Sequence, residues 1–293
     1  MALAHRGMLI HVTHLAPGGW IERKDTEEPF DLAVALDLLP LMADSGMNLL
    51  VVDIEDGVIY KSHPELTRHY SVPIEQMRTL ADAARDHGMD VVPKLNFSKS
   101  GRNLHDKWMM PHWHHVSWLK GIDTYFRVAE DLIAELTEVM GPRQFFHIGM
   151  DEDHYRSMPQ YVDAIHRLQA SVTKQGLRTI IWNDSCHDQP NMVAQVHAEK
   201  SVAAESLISK DIVHILWDYF GAHPDKVKRV ASHGFEVWGA PGTTPDRVAA
   251  WREAVEANGG NGLLLTRWSK CSEKNRQMLT DLLKEVGPGY RPA

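Results

Sequence analysis

The chain has 293 residues, of which 43% are hydrophobic and 24% are charged, and its formal net charge at pH 7 is −8. These proportions are typical of a globular domain with a large apolar core, and they exclude a largely disordered chain. The basic residues are dispersed, which argues against nucleic acid or a membrane as the main partner, because both require a basic stripe. A small neutral or polar substrate is the expected partner.

Eight short apolar runs, rich in β-branched residues, recur along the chain, and each is followed by a polar turn. They cover residues 8–12, 48–54, 90–97, 144–149, 178–183, 212–217, 235–239 and 263–268. Apolar residues return at intervals of three and four between most of these runs. This spacing predicts helices over residues 32–43, 74–87, 122–140, 158–175, 224–232, 245–257 and 273–285. Left-handed C-caps are expected at Gly46, Gly88, Gly176 and Gly234.

The alternation of strands and helices predicts the fold class. Repeated βα units in one α/β chain indicate a closed (β/α)8 TIM barrel, here a single domain over residues 1–293. Single barrels of this size are common, and no segment has the composition of a linker. The alternative is an open doubly wound sheet, but no glycine-rich phosphate loop follows the first strand.

The two cysteines, Cys186 and Cys271, are far apart in sequence. This spacing predicts free thiols in a reducing compartment rather than a disulfide framework, so we expect a cytoplasmic protein. The first residues do not resemble a secretion signal, and no apolar run reaches the roughly 18 residues that suggest a membrane span.

Barrel enzymes carry their functional groups at the C-terminal ends of the strands, and this chain has polar or aromatic residues at most of those ends. Flat indole rings stack on the apolar faces of sugars, so tryptophans at three equivalent strand ends favour a binding pocket, although core burial is the alternative for each one alone. The tryptophans are Trp182, Trp217 and Trp268, and the polar residues include Asp53, Glu55, Asp56, Lys94, Asn96, Asn183, Asp184 and Tyr219.

The fourth run ends abruptly in three consecutive carboxylates, Asp151, Glu152 and Asp153. Strand side chains alternate between two faces, so Asp151 and Glu152 can share a pocket only where the strand has ended. Carboxylates with aromatic walls indicate glycoside hydrolysis. Adjacent acids rarely flank a scissile bond from opposite faces, and an acetamido group on the sugar is one natural replacement for the nucleophile. A solvated acidic loop is the other interpretation.

Residues 147–152, with the sequence HIGMDE, resemble the His-x-Gly-x-Asp-Glu signature of glycoside hydrolase family 20, the β-N-acetylhexosaminidases. Met150 stands where most members have Gly. Residues 46–56 and Tyr60 are similar to the second strand of the hexosaminidase D branch, and residues 5–7 resemble the family's His-Arg-Gly opening. The resemblance implies a retaining β-N-acetylhexosaminidase that uses substrate-assisted catalysis. We expect no cofactor, and no metal, because the sequence shows neither a metal-ligand spacing nor a closed set of thiolates.

The same resemblance implies roles for individual residues. Asp151 would orient the acetamido group, Glu152 would be the general acid/base, and Tyr219 would replace a family Tyr that usually follows strand seven and is absent from residues 237–242. Lys270 stands where many members have a Glu that binds distal hydroxyls, so the sugar specificity is expected to differ. The expected substrate-binding residues are Arg6, Glu55, Asp56, His105, Trp182, Asp184, Trp217 and Trp268.

Some of these expectations have a competing interpretation. Arg6 precedes the first apolar run, which places it toward the opposite barrel end, and Glu55 and Asp56 could instead support neighbouring loops. The histidines at positions 11, 14, 105, 112, 114, 115 and 154 suggest a metal-dependent hydrolase, but their spacing lacks a His-Glu-x-x-His helix. A sugar-binding barrel without catalysis is the third alternative, because the strand-seven Tyr is absent.

Overall fold

The computed structural model describes residues 3–13, 27–98, 108–109, 121–187 and 192–292. Eight parallel strands form a closed barrel, in which each strand lies beside its chain neighbours and the first pairs with the last. The strands are β1 His5–His11, β2 Leu49–Asp53, β3 Asp90–Lys94, β4 Phe145–His147, β5 Arg178–Asn183, β6 Val213–Trp217, β7 Glu236–Ala240 and β8 Gly262–Lys270. The prediction of a (β/α)8 barrel is confirmed.

Helices follow the strands. They are α1 Leu32–Asp44, α2 Glu75–Asp86, α3 Ile122–Met140, α4 Met158–Lys174, α5 Met192–Ala204, α6 Pro224–Ser232, α7 Pro245–Ala257 and α8 Arg276–Val286. The seven predicted helices are all present, with ends within a few residues of the predicted ones. Helix α5 was not predicted, because the apolar residues in its sequence do not recur along one face.

The loop after β2 contains a short parallel pair, Val58–Ile59 with Val72–Pro73, outside the barrel. All four glycines predicted as left-handed C-caps have positive φ, between 72° and 88°. Among the described residues, none of the helices combines the length and the apolar character needed to cross a membrane. The assignment of the whole range 1–293 to one barrel stays a prediction.

Side chains of the strands alternate between two apolar clusters. Along β1, Leu9 belongs to a cluster built from strand residues, whereas Met8 and Ile10 belong to the larger cluster that includes helix residues. The first cluster is therefore the barrel interior and the second is the layer between strands and helices. The interior includes Leu9, Val51, Val92, Phe145, Ile180, Ile215, Trp238 and Leu264.

A layer of four polar residues lies one step above this apolar interior, toward the C-terminal ends of the strands. His11, Asp53, Lys94 and His147 each lie two positions after an inward-facing residue, and they pair across adjacent strands in that order. All four residues are at most 1% exposed. We call these four residues the polar layer, and they separate the apolar interior from the barrel mouth.

Candidate active site

Left-handed backbone conformations carry the chain out of β4. Gly149, Met150 and Glu152 have φ values of 74°, 78° and 50°. Positive φ is uncommon for residues other than glycine, and it costs on the order of 1–3 kcal/mol at each such residue, here Met150 and Glu152. In this backbone conformation, successive side chains no longer alternate between opposite faces as they do in a strand, so Asp151 and Glu152 can reach one site from adjacent positions. It also explains why glycine would be favoured at position 150.

Asn96, in the loop after β3, determines the orientation of Asp151. Its Nδ2 donates to Asp151 Oδ1 at 2.8 Å, while its Oδ1 accepts from the backbone N–H and the hydroxyl of Ser98 at 3.1 and 2.7 Å. These contacts fix which end of the amide is the donor. A Cβ on Gly149 would lie 2.2 Å from Asn96 Oδ1, so only glycine allows this approach.

Asp184, immediately after β5, contacts the same loop. Its Oδ2 accepts from the backbone N–H of Glu152 at 2.8 Å, and its Oδ1 accepts from Nε1 of Trp217 at 2.9 Å. Burial, followed by the negative charge of Asp151, raises the pKa of Asp184 well above its ordinary value. Asp184 was predicted to bind substrate, but the structure directs both of its oxygens to protein donors.

A buried ionic network supports the loop that carries the acids. Arg156 donates to Asp153 Oδ2 at 2.6 Å and to the carbonyl of Phe97 at 2.8 Å. Lys200, on α5, donates to Asp153 Oδ1 at 3.3 Å and to the carbonyl of Arg156 at 2.6 Å. The loop after β4 is thereby attached to the loop after β3 and to helix α5.

Tyr219 lies in the loop after β6, as predicted. Its phenol oxygen accepts from Nε1 of Trp268 at 2.8 Å. Burial raises the pKa of the Tyr219 phenol well above its ordinary value, and the carboxylates of Asp151 and Glu152 act in the same direction, so the hydroxyl keeps its proton. A Cβ on Gly242 would lie 3.1 Å from the Tyr219 ring. Tyr219 therefore packs against the loop after β7, where the family's Tyr was expected.

The three predicted tryptophans lie at the same mouth. The rings of Trp182 and Trp268 are 6.4 Å apart between centroids, and Trp217 lies 5.5 Å from Tyr219. Trp182 is buried, whereas Trp217 and Trp268 are partly exposed. Partly exposed indole rings beside carboxylates can stack on a sugar face.

The polar layer lies beneath these rings. Nζ of Lys94 is 2.8 Å from Asp53 Oδ1, and Nδ1 of His11 is 3.2 Å from Asp53 Oδ2. Burial alone would raise the pKa of Asp53, but Lys94 and His11 outweigh it and hold that pKa far below its ordinary value. His147 packs 4.8 Å from the Trp182 ring. Asp53 and Lys94 were predicted as polar residues at strand ends, but their association with His11 and His147 in one layer was not predicted. The signal was a polar residue at the inward position of four strands.

Two predicted binding residues, Glu55 and Asp56, follow β2 and are completely buried. Asp56 Oδ2 accepts from Tyr70 OH at 3.1 Å and from Nε of Arg68 at 3.2 Å. The backbone carbonyl of Glu55 accepts from Tyr60 OH at 2.5 Å. The contacts of Asp56 correspond to the alternative interpretation, in which the acids after β2 support their own loop.

Arg6 requires a correction, because the structure does not bring it to the mouth. It lies at the N-terminal end of β1, where Nε donates to the carbonyl of Gly46 at 2.8 Å and the guanidinium also donates to the carbonyl of Leu3. These contacts are at the opposite end of the barrel from Asp151. The expectation for His105, together with His14, His112, His114 and His115, lies outside the described residues.

The described residues contain no group of three or more His, Cys, Asp or Glu side chains that could hold a metal ion. His154 and His197 form a close pair of imidazoles near the acids, with ring centroids 3.7 Å apart. Burial, followed by the charge of His154, lowers the pKa of His197 to about 4, so that ring is neutral near pH 7.

Neither a protein-family model nor a curated protein matches the chain. Solved structures do match it. A GH20 β-N-acetylhexosaminidase from Streptomyces coelicolor A3(2) superposes with a TM-score of 0.69 at 15% identity, over 99% of this chain and 65% of that chain. A mutant Streptomyces plicatus β-hexosaminidase, in complex with its product GlcNAc, has a TM-score of 0.67 at 14% identity, over 99% of this chain and 64% of that one.

Dispersin B matches with a TM-score of 0.59 at 16% identity, over 98% of both chains. This chain spans slightly less than two thirds of the two Streptomyces proteins. Identities this low establish the architecture alone. The chain has the (β/α)8 barrel fold of the solved GH20 β-N-acetylhexosaminidases.

Proposed function

We propose that this chain is a glycosidase, a retaining β-N-acetylhexosaminidase that uses substrate-assisted catalysis on a small carbohydrate. The observation that carries the proposal is the pair of adjacent acids, Asp151 and Glu152, that a left-handed backbone presents at the barrel mouth. Asn96 donates a hydrogen bond to the Asp151 carboxylate, and Asp184 accepts one from the Glu152 backbone N–H. An ordinary retaining enzyme places its two carboxyl groups about 5–5.5 Å apart on opposite sides of the sugar. Adjacent residues on one loop do not favour that arrangement.

In the proposed first step, Glu152 protonates the glycosidic oxygen as the bond from that oxygen to the anomeric carbon breaks. The carbonyl oxygen of the acetamido group attacks the anomeric carbon from the other face and forms a cyclic intermediate. Asp151 accepts a hydrogen bond from the acetamido N–H and stabilises the positive charge that develops there. Tyr219, which keeps its proton, donates to the acetamido oxygen.

In the second step, Glu152 removes a proton from a water molecule, and the water oxygen attacks the anomeric carbon. The ring of the intermediate opens, and the acetamido group and the configuration of the substrate are restored. Trp268 donates to the Tyr219 oxygen, which leaves the phenol proton for the acetamido oxygen. The partly exposed rings of Trp217 and Trp268 provide the stacking surface for the sugar.

A panel of chromogenic β-glycosides that differ only at C2 tests the proposal. The N-acetylglucosaminide should react far faster than the glucoside, and a thiazoline mimic of the cyclic intermediate should bind much more tightly than GlcNAc. Equal rates for the two glycosides, or a covalent sugar trapped on a carboxylate by a fluorosugar, would contradict substrate assistance. No turnover of any glycoside, with retained sugar binding, would favour the sugar-binding alternative.

Glu152→Gln tests the assignment of the general acid. General acid catalysis typically contributes on the order of 10²- to 10⁴-fold, so the variant should lose at least that much on an unactivated disaccharide and less on an activated aryl glycoside.

Activity should also survive exhaustive chelation, whereas stoichiometric zinc that is required for turnover would favour a metal-dependent hydrolase.

We also propose a cytoplasmic location, because a chain with only two cysteines far apart in sequence, Cys186 and Cys271, is typical of a protein from a reducing compartment. The likeness of residues 46–56 to the hexosaminidase D branch stays a prediction.

A further inference from the structure

The carboxylate of Asp184 connects two parts of the candidate site that are far apart in sequence. It is 2% exposed, and it accepts from the Glu152 backbone 32 positions away and from the Trp217 indole 33 positions away. Glu152 is one of the left-handed residues of the acid loop, and Trp217 is one of the partly exposed rings at the mouth. One buried side chain therefore links the proposed proton donor to an aromatic wall.

Both partners of Asp184 are N–H donors, and neither can act as an acceptor in these contacts. Two carboxylate oxygens match two donors, whereas an amide would turn its NH2 group toward one of them. The backbone N–H of Asp184 donates to the Ser201 hydroxyl at 3.2 Å, and Asn183 Oδ1 accepts from the backbone N–H of Ser185 at 2.9 Å. Hydrogen bonds within its own loop and to α5 thus hold the Asp184 backbone in place, and the bond from the Glu152 N–H to the Asp184 carboxylate restrains the backbone of Glu152 in turn.

Charged and titratable groups from three structural elements interact electrostatically with Asp184. The loop after β4 contributes the carboxylates of Asp151 and Glu152, α4 contributes Tyr161, and α5 contributes Lys200. Burial and the two carboxylates raise the pKa of Asp184, and the donors from Glu152 and Trp217 oppose that rise. A substitution that removes either contact should therefore change the position of the Asp184 carboxylate and also shift the pH profile of turnover.

We propose that Asp184 is the positioning residue for Glu152, and that it couples the general acid to the Trp217 wall instead of binding the sugar itself. This inference rests on the proposed function. It also replaces the expectation from the sequence that Asp184 contacts substrate, because both oxygens already have protein partners at hydrogen-bonding distance.

Asp184→Asn, an isosteric change, is the central test. Turnover of an aryl N-acetylglucosaminide should fall about 10- to 100-fold, since a displacement of 1 Å in an active site can cost that much. The KM should change by less than the turnover number. The basic limb of the pH profile should move to lower pH, because Glu152 loses a neighbouring negative charge and gives up its proton more readily. The control Asp86→Asn, at an exposed position on α2, should change none of these three quantities: the turnover number, the KM and the pH profile.

Trp217→Phe and Trp182→Phe form a matched pair that does not depend on the folding of Asp184→Asn. Trp217→Phe removes one of the donors that lower the pKa of Asp184, so the acid limb of the pH profile should move to higher pH. Trp182→Phe removes a comparable ring that makes none of the described hydrogen bonds to Asp184, and its acid limb should stay in place whatever happens to KM.

The indole spectrum of protein labelled with ¹⁵N-tryptophan gives a readout that does not require turnover. The Trp217 signal, assigned by its loss in Trp217→Phe, should shift with pH as Asp184 takes up a proton, and it should shift in Asp184→Asn. A folded Asp184→Asn variant with normal turnover and a normal pH profile would overturn the inference, as would an unresponsive Trp217 signal. A wild-type chain without glycosidase activity would overturn the proposed function first, and that measurement needs no variant.

Discussion

Asn96 and Asp151 are 55 positions apart in the chain, and a hydrogen bond of 2.8 Å joins Nδ2 of the amide to Oδ1 of the carboxylate. The contact depends on Gly149, whose missing side chain leaves room for the Asn96 amide. The carboxylate of Asp151 is consequently oriented before any substrate arrives. Preorganised groups of this kind contribute more to catalysis than groups that must be ordered during the reaction.

Asn96→Ala should lower turnover of an N-acetylglucosaminide about tenfold or more, because a loss of orientation at the reacting centre is costly. It should also lower the free energy of unfolding by about 1–3 kcal/mol, since a buried hydrogen-bond partner of Asp151 is lost. Steady-state kinetics and urea denaturation measure the two effects. Asn258→Ala is the control, because it removes a hydrogen bond of 2.7 Å to the Ala254 carbonyl on α7. Equal turnover in both variants would contradict the role of Asn96.

Gly149→Ala should be strongly destabilising, because the new Cβ meets Asn96 at 2.2 Å and the residue keeps a φ of 74°. Gly176→Ala is a matched control, with a φ of 77° and no atom within 4 Å of the added Cβ. The control measures the cost of the left-handed backbone alone, about 1–2 kcal/mol. Thermal unfolding should show a clearly larger loss for Gly149→Ala. Similar losses would mean that the contact with Asn96 relaxes easily.

Lys94→Met should destabilise the fold by about 3–5 kcal/mol, because it leaves Asp53 as a buried charge without its ammonium partner. The double variant Lys94→Met with Asp53→Asn should recover part of that loss, since it removes both charges of the pair. Urea denaturation of the two single variants and the double variant gives the coupling free energy. Additive losses would show that the 2.8 Å contact between Lys94 and Asp53 contributes little.

Tyr219→Phe should lower turnover of an N-acetylglucosaminide and weaken thiazoline binding, because the proposed donor to the acetamido oxygen is removed. It also leaves the indole N–H of Trp268 without its acceptor at 2.8 Å. Trp268→Phe separates the loss of the Tyr219 hydroxyl from the loss of the hydrogen bond between Trp268 and Tyr219, since it removes that hydrogen bond but keeps the Tyr219 phenol. If Tyr219→Phe bound the thiazoline as tightly as the wild type, Tyr219 would not be the replacement for the family's Tyr.

Stability should decrease as the pH falls below about 6.5, the ordinary pKa of histidine. Burial, followed by the charges of Lys210 and Arg229, lowers the pKa of His214 to about 3. A group with a lowered folded-state pKa contributes stability that is complete above its unfolded pKa and is lost as the pH falls toward the folded value. A tenfold difference in proton affinity between the folded and unfolded chains corresponds to about 1.4 kcal/mol. Urea denaturation between pH 8 and pH 4 should show this loss, with a shallower slope in His214→Gln.

The sequence by itself determined the barrel and the position of the acids along the chain. Apolar runs of strand length alternate with segments of helical period, and these two periods differ enough to be distinguished without a structure. The carboxylates after β4 were recognisable because they interrupt an apolar run, and the tryptophans at positions 182, 217 and 268 because they recur at equivalent strand ends. These signals are local, so the chain displays them without its fold.

Only the tertiary structure decided which of these residues meet. Asn96 reaches Asp151, and Asp184 reaches Glu152 and Trp217, across separations that no local pattern encodes. For Arg6 and Asp56 the sequence had left two interpretations open, and the structure decided between them: Arg6 lies at the opposite barrel end, and the Asp56 carboxylate accepts hydrogen bonds from Tyr70 and Arg68. Hydrogen bonds depend on distances below about 3.5 Å and on direction, and those quantities are set only when eight strands close into one barrel.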